Sequence, residues 1–420
     1  MAVPAVTARV SAWRRLLSFA GPGYLIAVGY MDPGNWATSL GAGSAFGYSL
    51  LSIVILASLM AMLLQAAALR LGVATGSDLA QACRAHYSGF TNLSLWLGCE
   101  IAIVACNLAE VLGMACGLQL LFGIPLGIGV CVTAFDVILI LALRRWGVRP
   151  LEIFIILLTA IVAGCFAAQL VWLRPPPQQV LAGFIPSAGI LARPDMLYLA
   201  VAIIGATVMP HNLYLHSSVV QSRDFERSER GRRQAIRFAT WDSNIALALA
   251  LLVNMGILIL AAGAFHRPGL PPVTELGKAY RLLSPVLGAG AASTLFGIGL
   301  IASGLSSSIT GTLAGQVTME GFLDIRLSPA RRALLTRCLA IVPAAAAATW
   351  FGSVGVGKLL VFSQVVLGLQ LPCAVLPLLW LTTRRKHLGV YAFGVVTGLA
   401  LWAVATLIVA INFWALYRLL

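Results

Sequence analysis

Charge is scarce in this sequence. Only 10% of its 420 residues are Asp, Glu, Lys or Arg, and just 14 are acidic. Hydrophobic residues make up 60% and the mean hydropathy is +0.93, far outside the range of soluble globular domains. Other absences narrow the field further. No GxxxxGK[ST] phosphate-binding loop occurs, which argues against an ATP-driven machine, and no HExxH or histidine-rich ligand set supports a membrane metalloenzyme. The eight cysteines (83, 99, 106, 116, 131, 165, 338 and 373) form no CxxC pair, so neither a disulfide framework nor a zinc site is indicated, and buried apolar filling is their simplest role. No cleavable signal peptide is expected either. The first apolar stretch follows Arg14 and Arg15 but runs into Asp32-Pro33-Gly34-Asn35 in place of a small-residue cleavage site.

What the chain does have is long apolar runs. Stretches of ~20 residues, enough to cross a bilayer as helix, recur throughout and define an all-α polytopic membrane protein. Eleven spans are expected: 17–45 (broken), 48–73, 92–121, 126–144, 151–173, 196–221 (broken), 242–264, 286–318, 331–350, 357–382 and 389–415. With the N-terminus cytoplasmic, the inner segments hold 21 of the 28 basic residues, including Arg70, Arg84, six arginines between Arg223 and Arg237, Arg331, Arg332, Arg337 and Arg384 to Lys386. The outer segments keep Arg174, Arg193, Arg267, Lys278, Arg281, Lys358 and Arg418, and the C-terminus is placed outside. This asymmetry follows the positive-inside rule, so the net charge of +14 reads as topology. Nucleic-acid binding would need a basic face on a soluble domain, and none is present.

Two spans are interrupted in the same way. The first contains Asp32-Pro33-Gly34-Asn35 and the sixth Met209-Pro210-His211-Asn212, and each opens a group of five spans. Proline removes an amide donor and clashes with the preceding turn, which leaves carbonyls near Gly29 and Ala206 free to face inward. Paired breaks at corresponding positions point to inverted repeats with a binding site at the bilayer midplane. Five spans per repeat place the two repeats in opposite orientation, the architecture of the leucine-transporter fold. The expected layout is one transport domain, 1–420, with repeat one at about 16–173, repeat two at about 196–382 and an extra helix at about 389–415.

The breaks assemble a mixed ligand set: a carboxylate from Asp32, an amide from Asn35, carbonyls from Gly29 and Ala206 and a thioether from Met209. Hard Mg2+ and Ca2+ prefer all-oxygen shells, whereas Mn2+, Fe2+, Co2+, Zn2+ and Cd2+ tolerate or prefer a softer donor. The motifs DPGN (32–35), GATVMPHNLYLHS (205–217) and GLSSSITGTLAGQVTMEGF (304–322) resemble the Nramp (natural resistance-associated macrophage protein) family of proton-coupled divalent-metal transporters, and the resemblance covers nearly the whole chain. It implies that Asp32, Asn35 and Met209 hold the metal, with carbonyl help at Gly29 and Ala206, and that Gln364 approaches it in some states. It also implies import of Mn2+ or Fe2+ as substrate with proton entry, and no resident cofactor.

Proton coupling needs titratable groups. Asp32 is one, and His211 carries imidazole, whose ordinary pKa is nearest neutrality. Span three adds Glu100 and Glu110 on the same helical face as Asn107. Relatives usually have an aspartate where this chain has Asn107, and an amide carries no proton, so either the duty shifts among Asp32, Glu110 and His211 or the coupling is looser. Arg331 and Arg332 match the family's cytoplasmic basic pair. Asp136 receives no role, His216 a structural one, and His86, His266 and His387 are expected at solvated surfaces. The rival within the same fold is a sodium-coupled organic-solute symporter, disfavoured by Met209 and by the acid in the break. A non-transporting metal receptor is disfavoured by the lack of a signalling domain. Short outer loops without an Asn-x-Ser/Thr sequon suit a bacterial inner membrane, with metal ions, protons and lipid as the expected partners and no obligatory protein partner.

Overall fold

The computed structural model describes residues 21–145, 147–267, 269, 271–350 and 352–419. The expected start of the first span, 17–20, and Arg9, Arg14 and Arg15 lie outside the described residues. All regular structure among the described residues is helical. The first span is two helices, α1 (Pro22–Ala27) and α2 (Pro33–Phe46), separated by a 3-10 turn at Val28–Met31 and an extended Asp32. Pro33 takes the first position of α2, where its missing N–H would be unpaired in any case. Asp32 is the N-cap, accepting the Asn35 N–H at 2.8 Å.

After α2 the chain turns at Gly47 (φ 59) and enters α3 (Leu51–Thr75). There follow a short helix α4 (Leu79–His86), α5 (Gly89–Phe122), α6 (Leu126–Val132) and α7 (Asp136–Arg145) joined by a 3-10 turn, and α8 (Val148–Leu173). Short helices α9 (Pro177–Ala182) and α10 (Gly189–Ala192) lead into the second group. It begins with α11 (Pro194–Val208) and α12 (Pro210–Val219), broken at Met209, and continues through α13 (Glu229–Phe265), α14 (Leu276–Leu287), α15 (Ala292–Leu323), α16 (Pro329–Trp350) and α17 (Gly352–Thr383). The chain closes with α18 (Arg385–Leu388) and α19 (Val395–Leu419).

Ten segments among the described residues are long and apolar enough to span a membrane. The first of them, Pro33–Thr75, contains both α2 and α3, so these ten segments fall on the described parts of the eleven expected spans. Several helices overrun the expected bounds. The span placed at 242–264 is a helix from Glu229, started by Ser228, whose hydroxyl accepts the Gly231 N–H at 3.1 Å. Hydropathy marks the hydrocarbon-buried part of a helix, whereas caps decide where it starts.

The broken helices occupy the centre. α2 packs on α13, α11 on α17, and α5 lies against both α15 and α17. Gly205 sets the α11–α17 approach, because a Cβ there would run into the Gln364 carbonyl and the Gly368 backbone. Trp36, fully buried, makes edge contacts with Phe166 and Phe296 at centroid distances of 4.5 and 5.2 Å and so ties α2 to α8 and α15. The polarity of the molecule is inverted relative to a soluble domain. Phe90, Phe135, Ile153 and Phe413 face outward, while Asp32, Glu110, His211 and Arg337 are buried, as expected where the surrounding medium offers no hydrogen bonds.

Some surface expectations are corrected. Cys131, Cys338 and Cys373 are exposed and do not fill the core. His86 and His266 are not simply solvated: their Nδ1 atoms lie 2.8 Å from the Ala82 carbonyl and 3.0 Å from the Ser44 carbonyl. His387 meets His86 edge-on, with ring centroids 4.9 Å apart, and packs tilted against Trp380 at 4.3 Å. Arg337, expected in a cytoplasmic basic segment, is 1% exposed and lies within α16, because buried carboxylates on other spans receive it.

Candidate metal site

The two breaks meet. Asn35 Nδ2 donates to Asp32 Oδ1 at 2.7 Å and to the Ala206 carbonyl at 3.0 Å, so span one is hydrogen-bonded directly to the end of α11. That carbonyl is the one Pro210 deprives of its helical donor. Gly29 lies against the sixth span: a Cβ on it would stand 3.4 Å from Met209 Sδ and would collide with the Asn212 amide. Gln364 of α17 covers the first turn of α2, where a Cβ on Gly34 would overlap its amide. The structure therefore gathers Gly29, Asp32, Asn35, Ala206, Met209 and Gln364 around the breaks.

The other carbonyls released by the first break are taken by side chains. Asn254 Nδ2 donates to the Tyr30 carbonyl at 2.7 Å, Trp36 Nε1 to that of Met31 at 3.2 Å, and Ser303 Oγ also donates to Met31. What stays unpaired is informative. Asp32 Oδ2, Gln364 Oε1, Asn212 Oδ1 and Thr207 Oγ1 are buried without a hydrogen-bond partner among the described residues. Buried acceptors without donors are rare in folded proteins, and oxygens of this kind are the chemistry a cation would use. Asn212, absent from the expected ligands, lies beside them: its Nδ2 donates to Met209 Sδ at 3.6 Å, which leaves its Oδ1 as the unpaired atom. Its counterpart position to Asn35 in the mirrored motif was the available signal.

A second buried polar cluster crosses spans three, four, eight and nine. Arg337 donates from Nε to Asp136 Oδ1 at 3.1 Å and pairs through Nη2 with Asp136 Oδ2, while its Nη1 is 3.4 Å from Asn107 Oδ1 and 3.5 Å from Glu110 Oε2. Ser308 Oγ donates to Asp136 at 2.5 Å, and Cys106 Sγ to Glu110 at 3.6 Å. Arg332 pairs with Glu100 at 2.5 Å and donates to the Gly315 carbonyl at 3.0 Å. Arg331 is exposed and lies outside this network, its backbone N–H capped by Ser328. Asp136 and Arg337, given no functional part from sequence, are central to it. His211 is fully buried with both ring nitrogens unpartnered among the described residues, whereas His216 contacts Gln65 at 2.8 Å, and Gln65 donates to the Tyr30 hydroxyl.

Two broken half-helix pairs, facing each other inside a bundle of membrane-spanning helices, have the architecture of the leucine-transporter fold. MhsT, solved in complex with L-phenylalanine, shares this fold at a TM-score of 0.60 and 16% identity, covering 94% of this chain and 97% of that one. Residues 23–418 match the description of the natural resistance-associated macrophage protein-like (Nramp) family, and the chain belongs to that family. The divalent metal cation transporter MntH of Bradyrhizobium diazoefficiens is 57% identical over 400 residues, 95% of this chain and 89% of that protein. The manganese transporter of Eremococcus coleocola, solved with an aromatic bis-isothiourea compound, superimposes with a TM-score of 0.88 at 38% identity, over 98% of this chain and 87% of that one.

Proposed function

We propose that this chain imports divalent transition-metal ions in symport with protons, by alternating access around the paired breaks. Mn2+ is the favoured substrate, with Fe2+, Co2+ and Cd2+ also accepted. The observation that carries the reading is the set of orphaned buried acceptors around Asp32, beside the thioether of Met209. Relatives named for divalent-metal transport support it. Asp32 supplies the charge that attracts the ion, Asn35, Gln364 and the Ala206 and Gly29 carbonyls supply neutral oxygens, and Met209 favours softer ions.

Protons are carried by Asp32, His211 and Glu110. Asn107 accepts from Arg337 and holds no proton, and Asp136 supplies the second carboxylate facing that guanidinium. Arg332 and Glu100 extend the polar path along α5 and α16. In the cell the protein lies in a bacterial inner membrane, N-terminus inside and C-terminus outside. The sodium-coupled alternative leaves the thioether and the buried acid without a role. The test is radiolabelled Mn2+ uptake into proteoliposomes under either an inward proton gradient or an inward sodium gradient. Uptake accelerated by protons and indifferent to sodium is expected; the reverse refutes the reading.

A further inference from the structure

At the arginine-rich end of the molecule, where α3 and α13 leave the apolar part of the bundle, a cavity of about 530 Å3 is lined by Arg70, Arg233 and Arg237 and by no carboxylate. Three guanidiniums around one concavity repel one another unless an anion sits among them. Arg70 is held in place from one side: its guanidinium lies 3.9 Å from the Phe393 ring centroid and donates to the Tyr391 carbonyl at 3.3 Å. Its Nε is buried and has no hydrogen-bond partner among the described residues. Arg233 bonds Glu229 in a largely exposed pair, which offsets little in water. Arg237 lies one turn further along the same face of α13 and is exposed.

The rest of the lining is amphipathic. Trp241 is 55% exposed and Val390 is 60% exposed, and both border the arginines. Asp242, next to Trp241, is the last acidic or basic residue of α13 before its apolar stretch. Exposed indole at that level is typical of the membrane–water interface. A soluble phosphate has no use for an apolar border, whereas a phospholipid presents phosphate and hydrocarbon together. We propose that this cavity binds the phosphate of an anionic phospholipid headgroup, with Trp241 and Val390 against its glycerol and acyl portion.

Native mass spectrometry of the purified full chain in micelles containing phosphatidylglycerol and phosphatidylcholine tests this. One phosphatidylglycerol should be retained in preference to phosphatidylcholine. Arg237→Gln should weaken retention about fivefold, the effect of one interfacial basic residue, and Trp241→Ala should shorten it further without altering folding by circular dichroism. Arg227→Gln, in the same basic segment but outside the cavity, should leave the preference unchanged. Equal loss in Arg227→Gln would mean diffuse surface charge and overturn the proposal. So would the absence of a preference, or displacement of the lipid by millimolar inorganic phosphate, which would mark a soluble-anion site.

Discussion

Asp32 faces two ways. One carboxylate oxygen caps α2 and bonds Asn35, and the other is buried and unpaired. A single side chain thus starts the half-helix and offers the charge. In the proposed site Met209 is the source of selectivity, because thioether sulfur interacts strongly with soft ions and weakly with hard ones that would lose their hydration. Met209→Ala is expected to weaken Cd2+ uptake at least tenfold more than Mn2+ uptake, since about 1.4 kcal/mol of lost soft-ligand preference is tenfold. It should also let Ca2+ and Mg2+ compete. Competition assays in proteoliposomes decide this; an equal loss for all ions with unchanged Ca2+ exclusion would remove the thioether from the selectivity argument. These residues were legible because proline advertises a break in an apolar run. Asn212 was less so, as the mirrored motif names it but nothing in sequence separates a ligand from a spacer. Arg337 and Asp136 were not legible as a pair, because 201 positions separate them. A lone arginine near a span end reads as a topological anchor until the fold brings carboxylates to it.

At the level of the helices, α5, α7, α15 and α16 are joined by charge as well as by apolar packing. Removing one partner of a buried ion pair typically costs about 3–5 kcal/mol, because the other charge is left uncompensated. Asp136→Asn should therefore lower stability by that order, with Glu110 left as the remaining acidic neighbour of Arg337. Thermal unfolding in detergent measures it, and an unchanged midpoint would show that the Asp136–Arg337 pair contributes nothing net. Outside the spans, α4 is held by Asp78 and Gln81 in a reciprocal capping box. Burial pushes the Asp78 carboxyl up from 3.8 to about 6, against the opposing hydrogen bonds from the Gln81 and Ala80 amides. The folded state therefore holds its proton more tightly than the unfolded chain does between those two values, and stability falls as pH rises through that window. One pKa unit is worth about 1.4 kcal/mol. Relative to Asp78→Asn, the wild type should lose on the order of 2–3 kcal/mol between pH 4 and pH 7, and parallel pH profiles for the two proteins would contradict it. The helix inventory itself was readable from hydropathy. The early start of α13 was not, because it depends on the Ser228 cap and lies beyond the apolar run.

Across the whole molecule, the two repeats meet at the breaks, and the charged network runs from beside them along α5 toward Arg332. Such an arrangement permits a proton route separate from the metal. Glu110→Gln is expected to suppress metal-stimulated proton entry several-fold more than metal entry, read with a pH-sensitive and a metal-sensitive dye in the same liposomes under a negative-inside potential. An unchanged ratio would place proton transfer with Asp32 and His211 alone.

In the proposed function the metal is held at the junction of the breaks, chiefly by the Asp32 carboxylate. The most direct measurement is Mn2+ binding by isothermal calorimetry to the purified Asp32→Ala protein, together with uptake after reconstitution, with folding and insertion verified against the wild type. Neutralising the one charge in a low-dielectric site removes the main Coulomb attraction for a divalent ion. Binding and uptake should both fall to background in a correctly inserted protein. Mn2+ binding and uptake at wild-type levels would contradict the account.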